Sequence, residues 1–206
     1  MKKILEIGPG QHPSGKATAY LDKYNKWSGK SIKTRGKPVY RGEIENMKMF
    51  KDKSFDFIIA KHVLEHANDV EKAISELERV GKAGYIETPS EIKESLSSYR
   101  FYHKWIIMNI KGCLYITKNK KEYHRYGNFF EYLFEKCDEY NRFVRYYDNL
   151  FYTKLDWKDK IPYKIIETDK FMLNYNNKDV VEKLLKRDFK KRLIDTVVDY
   201  KKKIIR

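Results

Sequence analysis

Ile4-Leu5-Glu6-Ile7-Gly8-Pro9-Gly10-Gln11-His12-Pro13 reads as a short buried strand that ends in an acid and runs straight into a glycine-rich turn. Glycine tolerates positive φ and has no Cβ, so backbone N–H groups in such a turn can approach a ligand without side-chain obstruction. Taken alone, the pattern fits a tight turn that binds nothing equally well, because strand-to-glycine turns are common in α/β chains.

The next pieces decide between the two. Pro38-Val39-Tyr40-Arg41-Gly42-Glu43-Ile44 reads as a strand closed by an acid. Phe55-Asp56-Phe57-Ile58-Ile59-Ala60 is the near-continuous apolar run of a central parallel strand covered on both faces. Lys61-His62-Val63-Leu64-Glu65-His66 follows, and then a helix. Asn68 with Glu71 suits a capping box, Val70, Ile74 and Leu77 fall on one face, and Gly81 is placed to end it. Gly84-Tyr85-Ile86-Glu87-Thr88 is the next strand, stopped by Pro89.

Residues 3 to 90 together resemble the class I S-adenosylmethionine-dependent methyltransferases, in the branch known as type 11. The resemblance rests on Leu5-Glu6-Ile7-Gly8-Pro9-Gly10, Tyr20-Leu21-Asp22, Gly42-Glu43-Ile44, Ser54-Phe55-Asp56-Phe57-Ile58-Ile59, His62-Val63-Leu64-Glu65-His66, and the run from Glu78 to Pro89. It implies a Rossmann-like α/β sheet, mostly parallel with an antiparallel edge strand, and S-adenosylmethionine as cofactor. It also implies roles. Gly8, Pro9 and Gly10 would pass under the methionine part, with Glu6 orienting that loop. Asp22 would accept from the ribose hydroxyls. Glu43 would accept from the adenine amino group, with the Ile44 backbone reaching a ring nitrogen and its side chain covering the base. Ala60, Lys61 and His62 would line the methyl side. The family more often has Asp where Glu43 stands.

Other features depart from the family. About a dozen residues separate Ile7 from Ala19-Tyr20-Leu21, too few for a helix with its connections, and Lys23 to Lys37 shows no helical period. Cover helices are therefore expected to be missing after the first strands, which would leave an apolar sheet face for another segment or a second subunit to cover. The C-terminal segment is the candidate. Val181, Leu185, Phe189, Leu193, Val197, Tyr200 and Ile204 form one apolar stripe on a helix starting near Asn177 or Asp179. Its other face is basic. That face suits either a solvated surface or one that docks on nucleic acid or an acidic membrane.

The aromatic middle region is expected to choose the substrate. Trp105-Ile106-Ile107-Met108 and Cys113-Leu114-Tyr115-Ile116-Thr117 read as two strands joined by a glycine-containing turn, and Phe129 to Tyr146 as one helix. Leu150-Phe151-Tyr152-Thr153 and Tyr163-Lys164-Ile165-Ile166 would form an antiparallel edge pair. The expected organisation is one domain over 1–206, with a cofactor-binding core at 1–90, a substrate region at 91–148, and edge strands with the terminal helix at 149–206.

Composition sets further bounds. The 206 residues are 41% hydrophobic and can bury an adequate core, and a formal charge of +15 would attract anionic partners, nucleic acid among them. Basic residues are spread rather than clustered, so biased composition explains the charge as well as binding does. The first strand begins at residue 3 or 4 and no apolar run reaches spanning length, so a cytoplasmic protein without a membrane span is expected. Cys113 and Cys137, with the histidines, lack metal-ligand spacing, and no metal is expected. An Asn/Asp-Pro-Pro-Tyr run, common in enzymes that methylate amino groups of DNA bases, is replaced by Ala60-Lys61-His62-Val63.

The acceptor is thus expected to be a small molecule or metabolite. The alternatives are an RNA acceptor, or a basic binding protein that keeps the fold with little turnover. The oligomer is either a monomer or a homodimer. Should a proton need removal, His103 and His62 are the candidate catalytic residues, since imidazole titrates near neutral pH. His103 equally suits a hydrogen-bonded loop histidine. Glu65 and His66 are expected to organise the start of the following helix.

Overall fold

The computed structural model describes residues 2–24, 26–27, 30–31, 33–34, 36–124 and 126–186. Its main sheet has strands β1 (Ile4–Ile7), β2 (Ala19–Asp22), β5 (Val39–Arg41), β6 (Phe57–Lys61), β7 (Ala83–Pro89) and β10 (Tyr152–Lys158). Their spatial order is β10-β7-β6-β1-β2-β5, with β10 antiparallel to β7 and every other pair parallel. This is a Rossmann-like, mostly parallel sheet with an antiparallel edge strand.

Short connections shape its first half. No helix lies between β1 and β2, or among the described residues between β2 and β5, where a two-stranded ribbon of β3 (Lys26–Trp27) and β4 (Lys30–Ser31) stands instead. The crossover from β6 to β7 carries a 3-10 turn, Leu64–His66, and helix α1 (Val70–Val80). The α1 cap is Asp69, whose side chain accepts from Lys72 N at 3.0 Å, and not Asn68 as the sequence suggests. The shift has a cause 23 residues upstream. The Glu45 carboxylate accepts from the backbone N–H groups of both Asn68 and Asp69, holding these two residues outside the helix.

Alternation along the strands sorts the two faces of the sheet. Leu5, Ile7, Ala19, Leu21, Ile58, Ala60, Ile86, Leu155 and Trp157 point to one side, where they form a core with Val70, Ala73, Ile74, Leu77 and Val80 of α1. The opposite face carries Glu6, Asp22, Lys61, Tyr85, Glu87, Lys154 and Asp156. That face is mixed: Ile4, Tyr20, Phe57 and Ile59 lie on it between the polar groups, with Tyr20 and Ile59 buried. In it Lys61 Nζ stands 3.4 Å from Glu87 Oε1 and lies over the Tyr85 ring, the Tyr85 hydroxyl donates to Glu87, and Lys154 Nζ donates to Asp148 at 2.5 Å.

Helix α2 (Glu91–Ser95) leads to a second sheet of β8 (Trp105–Ile110), β9 (Cys113–Lys118) and β11 (Tyr163–Ile165), in the order β11-β9-β8. The β8–β9 turn is the two residues Lys111-Gly112, both at positive φ, as a primed hairpin turn requires. Ile107, Leu114 and Ile116 reach the same core as α1.

Two sequence expectations change here. Tyr163–Ile165 does not pair with β10; it runs parallel to β9, so β10 alone closes the main sheet. The span 129–146 is two helices, α3 (Gly127–Lys136) and α4 (Asp138–Tyr146), broken at Cys137. There the backbone is extended and the sulfur accepts from Tyr140 N. After α5 (Asp148–Phe151), the last described element is α6 (Lys178–Leu185), capped by the Asn177 side chain. The remainder of the expected terminal stripe, Phe189, Leu193, Val197, Tyr200 and Ile204, lies outside the described residues. Among the described residues no helix is long and apolar enough to cross a membrane.

Candidate cofactor and methyl-transfer site

The chain leaves β1 toward β2 on one side, and the next strand on the other side is β6. This reversal of direction opens a crevice at the carboxyl ends of the strands, the usual ligand position in open α/β sheets. Register sets Ile7 against Leu21 and Ala60, so Gly8, Asp22 and the Lys61-His62 pair leave three neighbouring strands side by side.

The two glycines of the first turn are constrained differently. Gly8 has φ +61°, donates its N–H to Leu21 O at 2.8 Å, and a Cβ there would stand 2.6 Å from Val63 Cγ2. Gly10 has φ +52°, and a Cβ there would meet nothing within 4 Å. Gly8 therefore locks the turn against the protein, while Gly10 faces open space. Pro9 between them is buried. Glu6, also buried, ties down the far side of the loop by accepting from Ser14 N at 2.6 Å. Burial raises its pKa above the ordinary carboxylate value, against the Ser14 bond and the charges of Lys61 and Lys37.

Asp22 ends β2 and is 9% exposed. Its Oδ1 accepts from Tyr24 N at 2.8 Å. Burial raises its pKa, while the backbone N–H groups of Tyr24, Gly10 and Lys23 favour the charged form. Gly10 and Asp22 are thus neighbours at the carboxyl ends of β1 and β2. Glu43 is more open and pairs with Lys23 Nζ at 2.9 Å, an ion pair that raises the Lys23 pKa. The Ile44 side chain is packed in the core, so what Ile44 can offer a ligand is its backbone.

On the other side, Ala60 is buried and Lys61 is held by Glu87. His62 takes φ +53°, which is uncommon outside glycine and concentrates at functional positions. Its N–H donates to Glu87 O at 2.8 Å, its Nδ1 lies 3.4 Å from Glu65 Oε1, and its ring meets Tyr152 edge-on at 5.6 Å. Burial lowers the His62 pKa, but Glu65 and Glu87 outweigh it and the net shift is upward.

His103 is placed differently: it is buried, with Nδ1 2.7 Å from Oε1 of the buried Glu94. It packs 4.6 Å from the His66 ring. The structure therefore brings Glu65, His66 and His103 together, whereas the sequence placed the first two at a helix start. Asp69 and Glu45 do that work instead. Glu94 and Glu87 gave no signal in the sequence, since each acquires its role from a partner on another element.

At this end of the sheet an unobstructed turn at Gly10 stands beside the Asp22 carboxylate, whose Oδ1 accepts from Tyr24 N.

Residues 5–86 match the family model described as "Methyltransferase domain". No curated protein matches the chain. Among solved structures, an S-adenosylmethionine-dependent methyltransferase from Thermotoga maritima, described as a possible histamine N-methyltransferase, is 25% identical with TM-score 0.38, covering 46% of this chain and 46% of its own. A methyltransferase of the same kind from Archaeoglobus fulgidus is 22% identical with TM-score 0.36, covering 43% and 45%. The chain thus spans less than half the length of each of these structures. Over residues 5–86, the chain is thus similar to a methyltransferase domain of the class I S-adenosylmethionine-dependent kind.

Proposed function

We propose that this chain is a cytosolic methyltransferase that moves a methyl group from S-adenosylmethionine to a small-molecule acceptor. The observation that carries the reading is that Gly10, lacking a Cβ and facing open space, adjoins the Asp22 carboxylate at the switch point of the sheet.

Gly8, Pro9 and Gly10 hold the amino-acid end, with Glu6 keeping the loop in place. Asp22 accepts from the ribose, and Glu43 and the Ile44 backbone meet the base. When bound, the cofactor supplies an electrophilic methyl group, so the protein's own work is alignment and proton handling. Ala60, Lys61 and His62 wall the methyl side. His62 is half-exposed and takes the acceptor's proton. The Glu65 and Glu87 carboxylates raise its pKa above the ordinary imidazole value, which favours its accepting a proton. His103, buried against Glu94, positions this wall rather than touching the acceptor. Residues 1–90 serve as the cofactor core, 91–148 as the acceptor side, and β10 as the edge strand of the main sheet.

Calorimetry with S-adenosylhomocysteine tests the first half of the reading. The wild-type chain should bind it, and Gly10→Asp and Asp22→Ala should each abolish binding while leaving the fold intact by circular dichroism. A wild-type chain that binds none of it refutes the reading. With labelled S-adenosylmethionine and a pool of hydroxyl and amine metabolites, His62→Ala should keep cofactor affinity and lose transfer.

A further inference from the structure

Beyond the methyl-side wall, and without relying on the methyltransferase reading, Glu65, His66 and His103 form a convergent donor set. One ligating atom from each lies within 4.8 Å of the other two. The Glu65 carboxylate is 1% exposed, and neither of its oxygens has a hydrogen-bond partner among the described residues. Its charged neighbour is the half-exposed His62, whose Nδ1 stands 3.4 Å from Oε1. A buried carboxylate without donors is strongly disfavoured unless a cation meets it.

Both imidazoles are prepared for the same partner. His66 Nδ1 lies 3.0 Å from the carbonyl oxygen of Tyr102. A carbonyl only accepts, so Nδ1 carries the proton and Nε2 presents its lone pair. The His103 Nδ1 bond to Glu94 has the same effect, and a carboxylate behind the far nitrogen is the usual outer support of a metal-bound histidine. The two segments are pinned together by Lys104 N donating to Glu65 O at 2.7 Å, while Lys104 Nζ is drawn away to Asn68.

We propose that Glu65, His66 and His103 bind a divalent first-row transition ion, zinc by its chemistry. Two imidazoles and one carboxylate suit zinc better than magnesium, which prefers oxygen donors and retained water. Three protein ligands are also the number found where a fourth position stays open to water or substrate. Bonds of about 2.0–2.1 Å set tetrahedral ligand atoms roughly 3.3 Å apart. The three donors therefore need to close by at most about 1.5 Å from their 4.8 Å limit, a movement that side-chain rotation supplies.

The test is metal binding by the full chain after dialysis against a chelator. Zn2+ should bind with one-to-one stoichiometry, raise the melting temperature and outcompete Mg2+, and Co2+ in its place should give visible absorption of a low-coordinate site. Glu65→Gln, His66→Ala and His103→Ala should each weaken Zn2+ by a hundredfold or more, and Glu94→Gln by about 10–100-fold through loss of outer support. Glu65→Gln keeps the side-chain volume and removes a buried charge. It should therefore fold as well as wild type without metal and lose the Zn2+-dependent rise in melting temperature. His12→Ala, on the glycine loop, should bind Zn2+ as wild type does. Absence of stoichiometric Zn2+ binding, equal affinity in Glu65→Gln and wild type, or a preference for Mg2+ would each overturn the assignment.

Discussion

Two loops leave neighbouring parallel strands, and they solve opposite problems. The loop after β1 is shaped by missing side chains: Gly8 admits Val63, and Gly10 leaves space beside Asp22. The loop after β6 is shaped by crowded ones, with His62, Glu65 and His66 in five residues and His103 brought against them. The first kind of site is made of backbone, so it can be recognised from one contiguous stretch. The second is made of ionisable groups and is completed only by tertiary contact.

The contrast within the first loop gives the largest expected effect. Gly8→Ala combines strain at positive φ with a clash against Val63 and should cost about 2–5 kcal/mol in urea unfolding. Gly10→Ala carries the strain alone, about 1–2 kcal/mol, and should lose cofactor affinity out of proportion to that cost. Equal losses at the two glycines would erase the distinction. In the second loop, Asp69→Ala should cost about 1 kcal/mol, since it removes the cap of α1. Asn68→Ala should cost less, which separates the structural cap from the one suggested by sequence.

The smallest effect is in pH dependence. Burial raises the Glu6 pKa above its unfolded value near 4.5. The folded state therefore holds this proton more firmly, and that contribution is complete below the unfolded pKa and is lost as pH rises through the folded one. Relative to wild type, Glu6→Gln should become progressively more stable as pH climbs from about 4.5 through this range. An unchanged difference across the range would mean that Glu6 is no harder to ionise in the fold than out of it.

What sequence revealed follows the same division. The order of strands, the glycine turn and the acids at strand ends were legible because each is fixed by a local pattern. The α1 cap was misplaced by one residue because Glu45 reaches it from another segment. The partner of Tyr163–Ile165 was misassigned because an apolar triplet carries no mark of which strand it will join. The break at Cys137 was hidden in an aromatic stripe that runs through both helices. His103 was singled out, yet its neighbours Glu94 and His66 are nine and 37 residues away, and only the fold makes them one group.

The parallel pairing of β11 with β9 has a thermodynamic consequence. A strand from beyond the main sheet returns to stitch residues 105–118 into the hydrophobic centre shared with α1. The second sheet cannot melt early while the first persists, so heating should reveal a single cooperative transition, and the β8–β9 hairpin could not be excised as an independent module.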